Sequence, residues 1–394
     1  MSEQPAPASI PLSVPVLRGR ELEYVSECIT TGWVSTAGPF VERFEKAIVE
    51  LTGARHAVAC VNGTAALHVS LLVAGVQPGD RVLVPTLTFI APVNTVRYAQ
   101  AVPVFLDCDQ WLNLDPAAVR AFCQTQCRRE SGRLIHSASG ARVSALIVVH
   151  VFGHPAELGA LAEVAAEFGL ALIEDASEAL GSCFLEGPFR HRQAGTVGRL
   201  GCYSFNGNKI VTTGGGGMIV TDDAALARRA RYLTTQAKDD EVRFIHGDVG
   251  YNYRLPNIQA ALGVAQLEQL FDFIDVKRAN FRRYQDQLEG WRDLHLIPEP
   301  VGTFSNHWHH TLLVPPVPGR DREALMAHLT AQGIQTRPIW ELNHRQAPYQ
   351  SGLAFRIERA PWFHRRGLNL PCSANLAAAD VDRVCAAIRA FVDG

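Results

Sequence analysis

The sequence has 394 residues, 47% of them hydrophobic and 19% charged, and its formal net charge at pH 7 is −2. This apolar content excludes general disorder, and at roughly 100–200 residues per domain the length indicates two domains. A net charge this small provides no field that would attract nucleic acid or an acidic membrane surface, so neither is expected as a partner.

Cysteine usage and the N-terminus indicate a cytoplasmic protein. The cysteines are scattered from Cys28 to Cys385, and the closest pair, Cys123 and Cys127, has no second pair to complete a zinc site. Reduced thiols and no bound metal are therefore expected. No apolar run approaches the ~20 residues of a membrane span. The start, MSEQPAPASIPLSVP, lacks the charged and apolar stretches of a signal peptide.

Short apolar runs alternate with helical patterns up to residue 253, which predicts an α/β domain over residues 1–253 with a mainly parallel central sheet flanked by helices. The stretch Arg128–Ala141 is rich in Ser, Gly and Arg without periodicity, and we expect a surface loop there. The predicted strands are His56–Cys60, Arg81–Val84, Val102–Asp107, Ala145–Val151, Ala171–Glu174, Gly201–Phe205 and Gly217–Thr221. The predicted helices are Gly19–Thr30, Pro39–Leu51, Ala65–Ala74, Ala91–Ala99, Pro116–Cys127, Ala156–Phe168 and Asp223–Leu233.

The pattern changes after Tyr253, and residues 254–394 are predicted to form a linker helix and a smaller C-terminal α+β domain. Two long helices are expected first, and the earlier one links the two domains. The predicted elements of this part are the helices Leu255–Leu270, Phe271–Leu288, Arg320–Gln332 and Ala378–Phe391 and the strand Trp308–Val314.

Chemically useful residues follow two of the predicted strands, at the carboxyl ends where sites of open α/β sheets concentrate. Asn62-Gly63-Thr64 comes before a helix, where free N–H groups bind phosphate, although an ordinary helix cap has the same pattern. Asp175 ends a buried strand, where a carboxylate needs a positive partner. That partner could be the protonated ring nitrogen of a cofactor, an arginine, or the start of the next helix.

Lysine occurs only at Lys46, Lys209, Lys238 and Lys277. Lys209 follows a strand, has no charged neighbour and precedes the four-glycine turn Gly214–Gly217, whereas the other three lie in ordinary charged contexts. A lysine amine becomes a useful nucleophile or base where its surroundings disfavour the charged form. A phosphate turn, a buried acid and this lysine, each at a strand end, together indicate a pyridoxal phosphate site.

Motifs along nearly the whole chain resemble the DegT-type nucleotide-sugar aminotransferases, which are fold-type-I pyridoxal phosphate enzymes. They are GWVSTAGPFVERFE, VNGTAALH, PTLTFIAPVNTVRYAQAVPVFLDCD, VVHVFGHPAE, IEDASEALGS and GYNYRLPNIQAALG, in family order. SFNGNKIVTTGGGGMIVTD, TTQAKDD and GIQTRPIW further resemble the branch that aminates UDP-4-keto-6-deoxy-N-acetylglucosamine at C4 in the bacillosamine and legionaminic acid pathways.

The resemblance implies roles for individual residues. Lys209 would bind the cofactor covalently and move protons during the reaction, and Asp175 would keep the pyridine nitrogen protonated. Gly63, Thr64 and Ser204 would hold the phosphate, Phe89 would stack on the ring, and Asn252 would reach the phosphate of the neighbouring subunit. A homodimer with a composite active site follows from that last role.

Alternatives remain for several of these positions. Phe89 could belong to the core, Ser204 could bond to backbone, and Asn252 could cap the next helix. Glu178 stands where many family members carry Gln or His, and a carboxylate beside a phenolate oxygen is repulsive unless one holds a proton. We therefore expect Glu178 to be protonated or turned toward the sugar.

Substrate residues are less distinct. Trp33 and Ser35 are expected to border the sugar pocket, and Arg254 and Arg337 could contact the nucleotide's diphosphate, because guanidinium offers paired donors to phosphate oxygens. Each arginine could instead form a domain-interface ion pair. The nucleotide (UDP, GDP or dTDP) and the position of amination are open, apart from the resemblance to the UDP-sugar branch.

The resulting hypothesis is amino transfer from L-glutamate to a 4-keto-6-deoxy nucleotide sugar, with a UDP-linked N-acetylhexosamine expected. One alternative is a sugar dehydratase or deoxygenase of the same fold, in which histidine replaces the lysine. Another is a non-catalytic pyridoxal phosphate-binding regulator, although no basic helix-turn-helix pattern is present. A nicotinamide oxidoreductase is disfavoured because no G-x-G-x-x-G follows the first strand.

Overall fold

The computed structural model describes residues 9–240 and 242–394. The first eight residues, which belong to the N-terminal segment and to the predicted domain 1–253, lie outside the described residues. In the described part, a mixed and mostly parallel sheet of ten strands forms the centre of the molecule. Its main path runs through His56–Cys60, Gly217–Thr221, Leu200–Ser204, Ala171–Asp175, Arg142–Val149, Arg81–Pro85, Val102–Leu106 and Leu353–Phe355.

The strand directions bring several loops to one edge of this sheet. Gly217–Thr221 is antiparallel to both of its neighbours, while the remaining neighbours on the path are parallel. His56–Cys60, Ala171–Asp175 and Leu200–Ser204 therefore point the same way and end at the same edge. The segments that follow them begin at this edge.

Helices cover both faces of the sheet. Val58 lies in one hydrophobic cluster while its neighbours Ala57 and Ala59 lie in another, as expected for a strand buried on both sides. The predicted strands and helices of this part are present, with bounds that differ by a few residues. The helices are Glu21–Thr31, Pro39–Thr52, Gly63–Val73, Ile90–Tyr98, Pro116–Gln126, Leu158–Phe168 and Ala224–Thr234.

The expected loop Arg128–Ala141 is wrong, because this stretch contains most of a β-hairpin. Strands Cys127–Glu130 and Arg133–His136 pair antiparallel, and the second also pairs with Arg142–Val149. Ser131 and Gly132, with φ of 49° and 75°, form the tight turn. Two consecutive residues with positive φ form a turn whose twist matches that of the paired strands. The strands pair through backbone hydrogen bonds, which do not require a hydrophobic pattern in the sequence.

The C-terminal part packs helices against a sheet of four strands and also returns to the large sheet. Leu353–Phe355 adds to the large sheet parallel to Val102–Leu106. The domain boundary at 253/254 remains a prediction, since chain from beyond it completes the large sheet. The small sheet contains His295–Leu296, His310–Leu313, Gly367–Leu370 and Arg337–Pro338. The helices are Asn257–Leu267, Leu270–Leu288, Arg322–Ala331, Arg359–Arg366 and Ala378–Asp393.

Two small antiparallel pairs lie outside these sheets. Cys183–Phe184 pairs with Thr303–Phe304, and Lys238–Asp240 pairs with Ile245–His246. Within the described ranges, no helix combines the length and apolar character that crossing a bilayer would require.

Candidate active site

Asp175 ends its strand as a buried carboxylate at the carboxyl edge of the sheet. Its Oδ1 accepts the backbone N–H of Ser177 at 3.0 Å. Burial raises the pKa of Asp175, and the Ser177 hydrogen bonds and the charge of Lys209 only partly oppose this shift. In the described part of the chain no arginine forms an ion pair with this carboxylate. A cation placed here would therefore be bound favourably.

Lys209 lies in the turn that follows Leu200–Ser204, and its backbone N–H closes that turn onto the Asn206 carbonyl at 3.0 Å. The amine reaches Glu178, with 3.2 Å between Nζ and Oε1. The Lys209 side chain is 12% exposed and that of Glu178 is 5% exposed. A primary amine is thus held in a mostly dry pocket at the edge where Asp175 lies.

Glu178 accepts hydrogen bonds at both of its carboxylate oxygens. Oε2 accepts the backbone N–H of Phe152 at 2.8 Å, while Oε1 faces Lys209. Burial raises the pKa of Glu178, and both donors act in the opposite direction by favouring the carboxylate. The side chain is therefore directed at the lysine. The two expectations for Glu178, a protonated acid or one turned toward the sugar, stay predictions.

The turn Asn62-Gly63-Thr64 begins the helix Gly63–Val73. Asn62 Oδ1 accepts the N–H of Ala65 at 2.7 Å and caps the helix. The N–H groups of Gly63 and Thr64 have no hydrogen-bond partner within residues 9–240 and 242–394. A Cβ on Gly63 would lie 2.8 Å from Ser204 Cβ and 3.3 Å from Ser177 Oγ. Free donors and two hydroxyls therefore surround one point at a helix N-terminus, as anion binding requires.

These residues fit pyridoxal phosphate on chemical grounds. The helix start offers N–H and O–H donors to a phosphate, Asp175 offers an unpaired buried carboxylate to a pyridinium, and Lys209 offers an amine. All three groups follow strands that end at the same edge of the sheet.

Phe89 precedes the helix Ile90–Tyr98 and is 53% exposed, so it does not belong to the core. Its ring centroid lies 6.3 Å from that of Trp340, and Trp340 packs on Phe152 at 4.5 Å. Phe152 contacts Glu178 through its N–H. Phe89 is thereby connected to the lysine pocket through packed rings, and its stacking role stays a prediction.

The opening segment that carries Trp33 and Ser35 is tied to the start of helix Asn257–Leu267. The Asn257 side chain donates to the Trp33 carbonyl at 2.7 Å and accepts from Phe40 N–H at 2.9 Å. The Asn257 N–H donates to the Ser35 carbonyl at 2.5 Å. The predicted sugar-pocket residues thus lie on a loop held by one buried asparagine, while the Trp33 side chain is half exposed.

Arg254 donates through Nε to the carbonyl of Thr36, at 3.0 Å, on the same loop. Asn252 is exposed, pairs by a backbone bridge with Thr235, and does not cap a helix, since Pro256 occupies the cap position. Arg337 is exposed at the edge strand of the small sheet, three residues before Trp340. The diphosphate roles of the two arginines and the partner-subunit role of Asn252 remain predictions.

Three residues in contact with this site were missed from the sequence. Trp308 places its ring 3.9 Å from Lys209 Nζ, Phe152 supplies an N–H to Glu178, and Ser177 adds a hydroxyl near Gly63. Ser177 could have been found, because it follows Asp175 at the same strand end. Trp308 comes from the C-terminal part, about 100 positions away, and no local pattern marks it.

Lys277 corrects the expectation that the other three lysines are ordinary. It is 3% exposed, and its Nζ donates to the carbonyls of Trp308 (3.1 Å) and Cys372. Burial lowers the pKa of Lys277. Charged neighbours in the sequence suggested a solvated face, but this position of helix Leu270–Leu288 is turned toward the small sheet.

Comparisons with known proteins agree with this geometry. Residues 15–389 match the model of the DegT/DnrJ/EryC1/StrS aminotransferase family. The chain is 37% identical to a GDP-perosamine synthase of Caulobacter vibrioides, with 96% of this chain and 97% of that protein covered. It matches the structure of the aminotransferase TlmJ from Streptoalloteichus hindustanus at 28% identity and a TM-score of 0.87, with 98% and 99% covered.

A further match is the structure of DesI in the presence of its TDP-sugar product. The two chains are 30% identical with a TM-score of 0.85, and the match covers 98% of this chain and 94% of that one. The α/β architecture described above is therefore the fold of the pyridoxal phosphate-dependent aminotransferases, as the sequence motifs predicted.

Proposed function

Because the chain belongs to the DegT/DnrJ/EryC1/StrS aminotransferase family, we propose that it moves an amino group from L-glutamate to a 4-keto-6-deoxy nucleotide sugar. The product would be a 4-amino-4,6-dideoxy sugar nucleotide. The observation that carries the proposal is the Lys209 amine, held 3.2 Å from Glu178 at the sheet edge that also bears Asp175 and the Gly63–Thr64 turn. A histidine at this position, as in the dehydratase alternative, would lack that amine.

Pyridoxal phosphate, on which this family depends, supplies an electrophilic carbon and an electron-withdrawing ring when bound. The N–H groups of Gly63 and Thr64 and the hydroxyls of Ser177 and Ser204 would hold its phosphate. Asp175 would hold a proton on the ring nitrogen, since burial makes an unpaired carboxylate costly there. Phe89 would cover one face of the ring.

Lys209 would act twice, first as the amine that binds the cofactor and then as the group that moves a proton to and from the reacting carbon. Proton transfer by a positioned side chain contributes roughly 10²–10⁴-fold to a rate. The buried setting of the amine supports this role, because water is largely excluded and the side chain has few alternative positions. Glu178 would orient the amine whenever it is free.

The motifs and the comparisons indicate different nucleotides. The motifs favoured a UDP-linked N-acetylhexosamine, whereas a 37% identical relative is named a GDP-perosamine synthase. The keto sugar is the reacting group, and activity assays with UDP-, GDP- and dTDP-linked sugars side by side identify the nucleotide. Arg254, Arg337, Trp33 and Ser35 are the proposed contacts of this substrate.

A homodimer with a composite active site is part of the proposal. Asn252 is exposed, and nearby Val242, Phe244 and Val249 leave large apolar side chains in solvent. Exposed apolar groups concentrated on one segment are typical of a protein contact. Asn252 would then reach the phosphate bound by the partner.

The experiment that tests the proposal is a visible absorption spectrum of the purified protein before and after L-glutamate, with Lys209→Ala alongside. We expect a yellow lysine-bound chromophore that glutamate bleaches, and a variant that does not turn over. A protein that stays colourless with added pyridoxal phosphate would exclude the cofactor. A yellow band that glutamate leaves unchanged would point to another donor, another reaction or the regulator.

The composite site is tested by mixing two inactive variants, Lys209→Ala and Asn252→Ala. If the active site spans two subunits, each hybrid dimer of these variants contains one intact site. Random pairing should then restore about a quarter of the wild-type activity. Mixtures that recover no activity, although the subunits exchange, would show that Asn252 serves its own subunit.

A further inference from the structure

Trp308 lies directly against the catalytic lysine candidate. Its ring centroid is 3.9 Å from Lys209 Nζ, and the tryptophan is 3% exposed. The amine therefore has an aromatic face as well as the Glu178 carboxylate among its contacts. Both groups attract a cation, since an aromatic face carries partial negative charge.

The position of Trp308 is fixed by hydrogen bonds at both ends of the residue. Its indole Nε1 donates to the carbonyl of Asn208 at 2.8 Å, and its backbone N–H donates to Asn306 Oδ1 at 2.9 Å. The first bond joins the tryptophan to the residue immediately before Lys209. The ring cannot shift without breaking one of these bonds.

The same segment also fixes Glu178. The Asn306 side chain donates to the backbone carbonyls of Glu178 (2.9 Å) and Leu180 (3.0 Å). Asn306 thus links the turn that carries Glu178 to the residue that carries the indole. One segment of the C-terminal part therefore positions both the Trp308 indole and the turn that carries Glu178.

The segment is held in a strained conformation. His307, between Asn306 and Trp308, has φ of 49°, and its ring stacks on Phe281 at 4.0 Å. Non-glycine residues in the left-handed region persist only where the surroundings enforce them, and they concentrate at functional sites. His307 immediately precedes Trp308, whose ring lies against Lys209.

We propose that Trp308 is a positioning residue that, together with Glu178, holds the free amine of Lys209 as an ammonium ion at one defined place. The inference rests on the proposed function for the role of that amine. Between its two tasks, binding the cofactor and moving protons, the amine is released from the cofactor and needs a fixed location. The Glu178 carboxylate and the face of the Trp308 indole provide this location. They also take the place of solvating water, which the buried pocket excludes.

The test measures how fast each lysine of the full chain, freed of bound cofactor, reacts with trinitrobenzenesulfonate, with the modified peptides quantified by mass spectrometry. Only neutral amines react, and the chain has just four lysines. Lys46, whose side chain is 77% exposed, is the reference, and buried Lys277 reports loss of the fold.

Near neutral pH, we expect the reagent to label Lys209 roughly 2–30-fold faster in Trp308→Leu than in the wild type. An increase of this size corresponds to loss of one cation–π contact. The ratio should approach one as the pH rises, because the amine becomes neutral in both proteins. Trp308→Phe, which keeps an aromatic face, should give a smaller increase. Trp340→Leu is the matched control, since Trp340 packs on Phe152 but makes no cation–π contact with Lys209 in the described part of the chain.

Three results would overturn the proposal: an unchanged rate in both Trp308 variants, a ratio that is the same at every pH, or an equal effect of Trp340→Leu. A pH-independent ratio would mean that the pocket has merely opened. If Lys277 becomes labelled in Trp308→Leu, that variant has lost its fold. The labelling rate of Lys209 in Trp308→Phe then tests the proposal by the same criteria. The measurement needs no cofactor, so its failure is distinct from failure of the absorption experiment.

Discussion

Phe152 and Glu178 are joined by a hydrogen bond of 2.8 Å from the backbone N–H of Phe152 to Oε2 of the carboxylate. Phe152 has φ of 56°, a conformation that phenylalanine rarely adopts. The strained backbone supplies a donor that leaves the other oxygen, Oε1, for Lys209. The two donors favour the charged form of Glu178 and oppose the burial that raises its pKa, so Glu178 and Lys209 should depend on each other.

Glu178 and Lys209 should be energetically coupled in the cofactor-free protein. We expect the variants Glu178→Gln and Lys209→Met each to be destabilised, because each leaves a buried group without its partner. In the double variant the coupling energy should be about 0.5–3 kcal/mol. Urea unfolding of the four proteins at one protein concentration measures it. Additive effects would show that the two groups do not interact.

Asp175→Asn should abolish most of the activity without lowering the stability of the cofactor-free protein. The amide oxygen of Asn can still accept the Ser177 N–H. The substitution also removes a negative charge that burial disfavours, since burial raises the pKa of Asp175. Turnover should fall by roughly 100-fold or more, because the partner of the ring nitrogen is lost.

The matched control for Asp175→Asn is Asp109→Asn. Asp109 is also buried, its pKa is raised to about 7 by burial, and it accepts the N–H groups of Trp111 and Asn113. Among the described residues Asp109 makes no hydrogen bond or ion pair with Lys209, so its variant should keep wild-type turnover. Equal loss of turnover in the two variants would contradict the assignment of Asp175.

Gly63→Ala should weaken cofactor binding because the added Cβ would lie 2.8 Å from Ser204 Cβ. Relieving such an overlap typically costs about 1–3 kcal/mol, and here the shift would move phosphate donors. Equilibrium titration with pyridoxal phosphate measures the affinity. Adding Ser204→Gly to the Gly63→Ala variant should remove the overlap between the two Cβ atoms. The control is Gly207→Ala, whose added Cβ meets nothing within 4 Å and which should behave as wild type. Normal affinity in Gly63→Ala would disprove the close approach.

Asn257→Ala should raise KM for the nucleotide sugar more than KM for L-glutamate. The substitution releases the carbonyl of Trp33 and the N–H of Phe40. The Phe40 N–H is buried, and leaving a buried donor unpaired costs about 1–3 kcal/mol. Asn280→Ala is the control, since that buried side chain donates to Leu376 in the C-terminal part. We expect Asn280→Ala to lose a similar amount of stability while KM stays unchanged. An equal rise in KM in Asn280→Ala would show that Asn257 does not act by holding the loop that carries Trp33 and Ser35.

Acid should destabilise the protein below about pH 6.5, the ordinary histidine pKa. Burial lowers the pKa of His154 to about 4, and burial together with the Lys277 charge lowers that of His310. As the pH falls below 6.5, the unfolded state binds protons that the folded state does not, so stability falls by about 1.4 kcal/mol per pH unit for each such histidine. Asp109 opposes this, because its raised pKa lets the folded state bind a proton first.

Urea unfolding at a series of pH values checks the acid effect. His310→Leu should reduce the slope of stability against pH between 6 and 5 by about one proton. An unaltered slope in His310→Leu would show that this ring is not among the groups responsible.

The local pattern was sufficient to predict most of the fold, and it also selected the residues proposed to react. Gly217–Thr221 and His56–Cys60 have the predicted bounds, because buried strands are continuous apolar runs. Lys209 stood out as a lysine without charged neighbours after a strand, and Asp175 as a carboxylate at the end of a buried strand. The hairpin Cys127–Glu130 and Arg133–His136 was missed, since backbone pairing around a left-handed turn does not require hydrophobic periodicity.

The sequence by itself thus determined the alternation of strands and helices and the family, and it selected Lys209 and Asp175 as the proposed amine and buried acid, because these depend on neighbouring residues. Only the tertiary structure decided which distant groups surround the amine. Trp308 reaches Lys209 across about 100 positions, and Lys277 is buried although its sequence neighbours are charged. Such contacts depend on how separate elements pack, and packing geometry is not encoded within any single stretch of chain.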